Sequence, residues 1–440
     1  MSPVSRGRKP SKPKKSRKGK KPPARTTSSG WAKPAWRESA GPGFGVPGPG
    51  IQTSPLERLF GTLDDEHARW WKSSHERLIA ASDCLLTAPG PRALEQATAE
   101  LIGGELYDAV RGERAGLRFD MWAMELVDRA AQRTVEAARQ GGGAWRGPWW
   151  LLHGLAAIGS YGLGGFAREQ AAKAAKSLPR DLRSAEPAWL NLLPDIKATG
   201  DVRVMRDAYG TRFGVIAGFS YPGDVDPSVY LLDIDASGLA RLAGAGVFDD
   251  MESAAASWRD QVGVSAEGLI PATATPESLT CLVYCEAEEQ HVIGDESRTV
   301  IDNWFRGPRR CCDVGDALRE RGFVLPEYSP RYHDIDAAPM ADPFAGWYAG
   351  RHGHEPAREA AEALAVEWLE GMLPGTEHSV SPHRSEYFRE LIGDWLDDPV
   401  TDAVRALLPE WVRWNGEQAG VPAALIERAV SAASADADGL

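Results

Sequence analysis

The sequence predicts a mainly helical chain with a small central α+β region, preceded by a disordered basic arm. Three observations carry this. Apolar residues recur at helical spacing from about Leu56 to Leu193 and again beyond Glu355. Between them lies one strong hairpin signal, RFGVIAGFSYPGDVDPSVYLLDIDASG, folded about Pro222–Gly223–Asp224. The first 54 residues are rich in Lys, Arg, Pro, Ser and Gly and hold too few apolar side chains to offset their chain entropy.

A chain of 440 residues is long for a single core, so several domains are expected. The boundaries read from composition are a disordered arm (1–54), a helical domain (55–196), an α+β domain (197–327), an irregular linker (328–355) and a C-terminal helical module (356–434). In the first helical region, Leu94, Ala97, Leu101, Leu106 and Val110 mark one helix and Trp122, Leu126, Ala130 and Val135 a second, with Gly and Pro clusters between the pieces. Trp149 to Ala167 runs 19 residues without a formal charge, near the membrane-spanning minimum. His153, Ser160 and five glycines make it too polar for lipid, and two buried helices broken near Gly159–Ser160 are expected.

The texture changes at Ile196. After the hairpin, helices are expected following Ser237 and at MESAAASWRDQVG, a strand at LTCLVYCEAE, and a helix start at CCDVGDALRERGF. Beyond 355, Tyr387, Phe388, Leu391, Ile392, Trp395 and Leu396 share a helix face, as do Val404, Leu407, Leu408, Trp411 and Val412, with Asn415–Gly416 as a stop and Pro422 opening a last helix. The runs SPHRSEYFRELIGDWL and LLPEWVRWNGEQAGVPAALIERAV, with RDAYGTRFGVIAGFSY and VYLLDIDASG upstream, resemble a C-terminal helical module of uncharacterised actinobacterial proteins. The resemblance implies a cytoplasmic helical architecture and assigns no activity.

Charge divides the chain. Residues 1–50 hold 13 Lys and Arg against the single acid Glu38, a net +12, which leaves −24 on the remaining 390 residues. Eleven of these cations, Arg6, Arg8, Lys9, Lys12, Lys14, Lys15, Arg17, Lys18, Lys20, Lys21 and Arg25, lie in one acid-free run suited to neutralising phosphates. Arg6–Gly7–Arg8 resembles a degenerate AT-hook core, with Lys9 intervening before Pro10. The bland alternative is a solvated arm without sequence information. No apolar core follows the N-terminal charges as a signal peptide requires, and five cysteines, an odd number, argue against a disulfide framework, so the expected compartment is cytoplasmic.

Candidate chemistry is sparse. Asp233 and Asp235 share one strand face and could bind Mg²⁺ or divide acid and nucleophile roles. Asp-x-Asp is similar to the motif of haloacid-dehalogenase-type phosphatases, but a hairpin precedes it and Asp302 lies too far from Asp295. His333, His352 and His354, in a segment shared with His378 and His383, have the ligand types for a metal without a known hydrolase spacing. Cys281 and Cys285 share a face, and Arg309 and Arg310 beside Cys311–Cys312 could lower a thiol pKa. The pairs Trp70–Trp71 and Trp149–Trp150 put adjacent rings where one of each faces a groove, although most of the 16 tryptophans read as core. The leading expectation is a non-enzymatic interaction protein tethered by its arm to nucleic acid or an acidic partner, with a protein partner, no membrane span and no specified cofactor. The alternative is a metal-dependent hydrolase using Asp233 and Asp235, or His333, His352 and His354.

Overall fold

The computed structural model describes residues 65–112, 119–221, 228–287, 296–329, 334–393 and 400–434. The arm, and with it all eleven cations from Arg6 to Arg25, lies outside the described residues.

The N-terminal layer contains α1 (Asp65–Ala81), α2 (Pro91–Arg111), α3 (Phe119–Gln140), α4 (Arg146–Ile158), α5 (Tyr161–Ser177) and α6 (Arg180–Ser184). Pro91 opens α2 at a position where its missing N–H is not needed. The uncharged run is two helices, as the sequence predicts: α4 ends at Gly159, and the Ser160 side chain caps α5 by accepting from the Leu163 N–H. Every residue of α4 from Gly147 to Ile158 is buried, which explains the lack of charged residues there. At Gly154 the Thr98 side chain of α2 approaches so closely that a Cβ would stand 2.1 Å from Thr98 Oγ1. Among the described residues no helix is long and apolar enough to cross a membrane.

The sheet is an antiparallel meander of β1 (Lys197–Arg206), β2 (Arg212–Ser220), β3 (Ser228–Asp235) and β4 (Arg241–Phe248), with the short β5 (Ala272–Thr273) beside β1, in the order β4-β3-β2-β1-β5. The expected hairpin is β2–β3, paired from Arg212↔Asp235 to Phe219↔Ser228. Both faces of β3 are covered. Tyr230, Leu232 and Ile234 join the core of the N-terminal helices, while Val229 and Leu231 meet Trp258 of α7 (Met251–Val262) on the other face. One hydrophobic core therefore runs through both the expected helical domain and the expected α+β domain.

Three sequence-based expectations fail here. The segment after Ser237 is strand β4, not helix: Gly244 and Gly246 weaken its helical tendency, and pairing with β3 over Val229↔Phe248 to Asp235↔Arg241 decides its state. LTCLVYCEAE forms α8 (Thr280–Ala287), not a strand. Its residues from Cys281 to Cys285 are all buried, so no polar period marks the helix, and the 3₁₀ turn Glu277–Leu279 that leads into it is framed by reciprocal bonds between Thr275 and Ser278. The expected irregular linker contains α11 (Ala338–His352), which follows α9 (Arg298–Asp302) and α10 (Arg306–Glu320). Pro339 sits in its first turn, and Pro343 is accommodated because Met340, Ala341 and Phe344 are buried in the second core.

That second core joins α11 to α12 (Arg358–Leu369), α13 (Pro382–Gly393), α14 (Thr401–Gln418) and α15 (Ala423–Ser434). Phe388 and Ile392 of α13 are buried as expected, Tyr387 is exposed, and Trp395 and Leu396 lie outside the described residues. Asn415–Gly416 does not stop α14. Asn415 is buried and donates to the Trp411 carbonyl, and Gly416 lets Ile426 pack against the helix, where a Cβ would be 2.8 Å from Ile426 Cγ1.

Two fully buried arginines tie these layers together. Arg310 of α10 donates to Glu95 of α2 at 2.9 Å and to Asp313, and Tyr221 and Tyr230 donate to the same Glu95. Arg384 of α13 donates to the carbonyls of Ser237 (3.0 Å) and Trp368 (2.7 Å), joining the sheet to the C-terminal bundle.

Candidate functional site

Asp233 and Asp235 end β3 on the face turned to α7, at the junction between sheet and C-terminal bundle. Arg212 caps Asp233 with a two-pronged contact, Nε to Oδ1 at 3.1 Å and Nη2 to Oδ2, and Trp258 Nε1 donates to Oδ1 at 3.0 Å. Asp235 accepts from the Ser237 N–H at 2.8 Å and faces His383 Nδ1 at 3.0 Å, with Arg241 3.8 Å away. His383 stands in the first turn of α13, beside Arg384, so the bundle itself delivers the imidazole.

Burial pushes the Asp233 carboxyl up, and Arg212 and Trp258 offset only part of that. Burial also opposes ionisation of Asp235, but the hydrogen bond and charge of His383 win and hold it well below the usual range. The bond to Asp235 raises His383 in turn, although its side chain is 51% exposed. A carboxylate-held imidazole whose other nitrogen has no partner among the described residues is suited to moving a proton. Asp233 is not suited to a second role: it is buried and committed to Arg212 and Trp258.

The remaining predicted residues lie elsewhere. His352 and His354 gather around Tyr348 on α11, with the His352 ring stacked on it at 4.2 Å and Nε2 3.5 Å from Glu410 of α14. His378 pairs with Asn415 at 2.8 Å. His333 lies outside the described residues. Among the described residues no group of three or more His, Cys, Asp or Glu side chains could hold a metal ion.

The Cys281 and Cys311 thiols are not activated. α10 starts at Arg306, so Cys311 and Cys312 are buried inside the helix, away from its N-terminus. The neighbouring Cys285 and burial push the Cys311 thiol well up, and Arg309 and Arg310 are taken by Asp313 and Glu95. Cys281 and Cys285 do share a face, that of helix α8, and burial pushes Cys281 up as well.

No protein-family model, no curated protein and no solved structure matches the chain. Sequence reasoning named Asp233 and Asp235 but missed the partners Arg212, Arg241 and Trp258. A signal for the first was present: folding the chain about residues 223 and 224 places Arg212 directly opposite Asp235.

Proposed function

We propose that this chain is a non-enzymatic interaction protein, tethered to a polyanionic partner, nucleic acid first, by its N-terminal arm. The observation that carries the reading is the acid-free run of eleven cations from Arg6 to Arg25 ahead of a body with net charge −24. Such a body is repelled by phosphates, so the arm must supply the attraction by releasing counterions. The pairing of Asp233 with Arg212 supports the reading, because it commits one of the two strand-end candidates for catalysis to holding the sheet end together.

Fluorescence anisotropy with labelled DNA and RNA tests it on the full chain and on a variant lacking residues 1–50. With about six phosphate contacts, affinity falls roughly 10³-fold between about 50 and 200 mM salt. Binding that disappears with residues 1–50 supports the tether. A full chain that binds neither polymer at low salt sinks the nucleic-acid form and turns the search to acidic proteins.

One observation favours the hydrolytic alternative: the Asp235–His383 pair is a carboxylate-held imidazole at the surface. Elemental analysis tests its metal-dependent form. A stoichiometric metal lost on combining Asp233→Ala with Asp235→Ala would replace the leading reading, and a metal-free chain would remove this one.

A further inference from the structure

Away from the sheet end, the N-terminal helices enclose a cavity of about 280 Å³ between α4, α5, α6 and the 3₁₀ turn Ala188–Asp195. That is room for a molecule of one ring, at the small end of ligand pockets. Its floor is apolar and buried, made by Trp149, Ala156, Ala171 and Leu190, with the His153 ring among them. The mouth is polar and carries Arg168 and Arg183.

Two groups at this cavity have unmet bonding capacity. His153 is buried and stands edge-on to Trp149 at 4.7 Å. Burial pushes its imidazole down to about 4, so the ring is neutral near neutral pH. It hydrogen-bonds the Leu190 backbone, and among the described residues Nε2 has no partner, which leaves a buried acceptor of a kind that folded proteins almost always satisfy. The exposed Arg183 guanidinium makes no ion pair or hydrogen bond with the described residues. Glu186, also in the lining, is neutralised by Arg146 at 2.6 Å and receives the Trp150 N–H. Arg183 is therefore the lining cation left to meet an anion at the mouth, with Asp195 the other acid in the lining.

We propose that this cavity binds a small aromatic acid, its ring against Trp149, its carboxylate at Arg183 and a hydroxyl or N–H at its far end donating to His153 Nε2. The inference is independent of the arm and of the polyanion it contacts. The carboxylate supplies charge-assisted bonds at the mouth, and the ring fills the dry floor.

The test uses the full chain and three probes: 4-hydroxyphenylacetate, phenylacetate, which lacks the hydroxyl, and 4-ethylphenol, which lacks the carboxylate. Saturation-transfer NMR and calorimetry should show 4-hydroxyphenylacetate binding best. Ala172→Trp, at the exposed rim where folding is not at risk, should abolish binding of all three. Arg183→Ala should weaken the two acids roughly tenfold and leave 4-ethylphenol unchanged, as expected for one hydrogen bond to a charged group. His153→Phe should erase the preference for the hydroxyl. The proposal is overturned if no probe binds at millimolar concentration, or if Ala172→Trp binds as the wild type does. A His153→Phe variant that still prefers the hydroxyl overturns the role given to Nε2.

Discussion

Arg310 and Arg384 are the same side chain under the same burial, 0% and 1% exposed, and the fold keeps each one charged by different means. Burial acts to lower the Arg310 pKa, but Glu95, Tyr230 and Asp313 reverse it and hold it well above the ordinary value. Arg384 lies against two adjoining rings, Trp368, whose centre is 4.1 Å from its guanidinium carbon, and Phe388 at 5.0 Å, and among the described residues its guanidinium donates to carbonyl oxygens. Burial pushes it down to about 9. Dipoles and aromatic faces thus replace the carboxylates. The difference separates two kinds of joint. Arg310 locks α2, α10 and the sheet into one core with opposite charges, whereas Arg384 docks the C-terminal bundle on the sheet without leaving a stranded anion if it is removed.

The largest expected effect follows on the Arg310 side. Glu95→Gln removes one of the two carboxylates that hold a buried cation and should cost about 3 kcal/mol in urea denaturation, because Arg310 is left with Asp313 alone. Arg310→Met should cost a similar amount by stranding Glu95. Combining the two should recover much of the loss, since neither charge then lacks its partner. An additive double variant would show that the pair is worth no more than its packing.

On the other side, Arg384→Met should cost about 1–2 kcal/mol, the loss of two carbonyl partners partly offset by relief from burying a cation. A penalty as large as that of Arg310→Met would break the distinction. Proteolysis sharpens it: Arg384→Met should expose the C-terminal bundle to cleavage before the N-terminal core, and Glu95→Gln should expose both together.

These joints also mark what could be read from the chain beforehand. The helix pair α4–α5, the β2–β3 hairpin and the helix at Met251–Val262 were legible because a glycine, a turn or a charged face punctuates each one. α8 was not, since burial of Cys281 to Cys285 on every side removes the period that separates helix from strand. Strand β4 opens with a helix-favouring Arg-Leu-Ala run, and pairing with its neighbour β3 settles it. At the candidate site, Asp233 and Asp235 stood out by alternation and Arg212 was implied by the hairpin register. His383 could not be assigned to Asp235, because that contact forms only when the bundle closes on the sheet. Glu95 was equally hidden: one acid in an amphipathic helix gives no sign that Arg310, Tyr221 and Tyr230 will converge on it.

The smallest expected effect lies beside Arg384, where Asp235 is the nearby carboxylate acting to raise its pKa. The Asp235–His383 pair should stabilise the fold only within a pH window. Asp235 is held below its ordinary pKa, so its contribution is present above about pH 4 and is lost as pH falls toward the folded value. His383 is raised, so its contribution is complete below about pH 6.5 and disappears as pH climbs through the folded value. Because His383 is half exposed, solvent screening should keep the gain under about 1 kcal/mol. Urea midpoints of wild type and His383→Gln should therefore differ most between about pH 4 and about pH 6.5 and converge as pH climbs past the raised His383 value. A gap that widened with pH would mean that the imidazole matters as a neutral packing group. Discharging His383 also leaves the full Asp235 charge to act on Arg384, so the dipole-held cation gains part of what the histidine pair loses. A convergence slower than one imidazole titration would be the sign of that exchange.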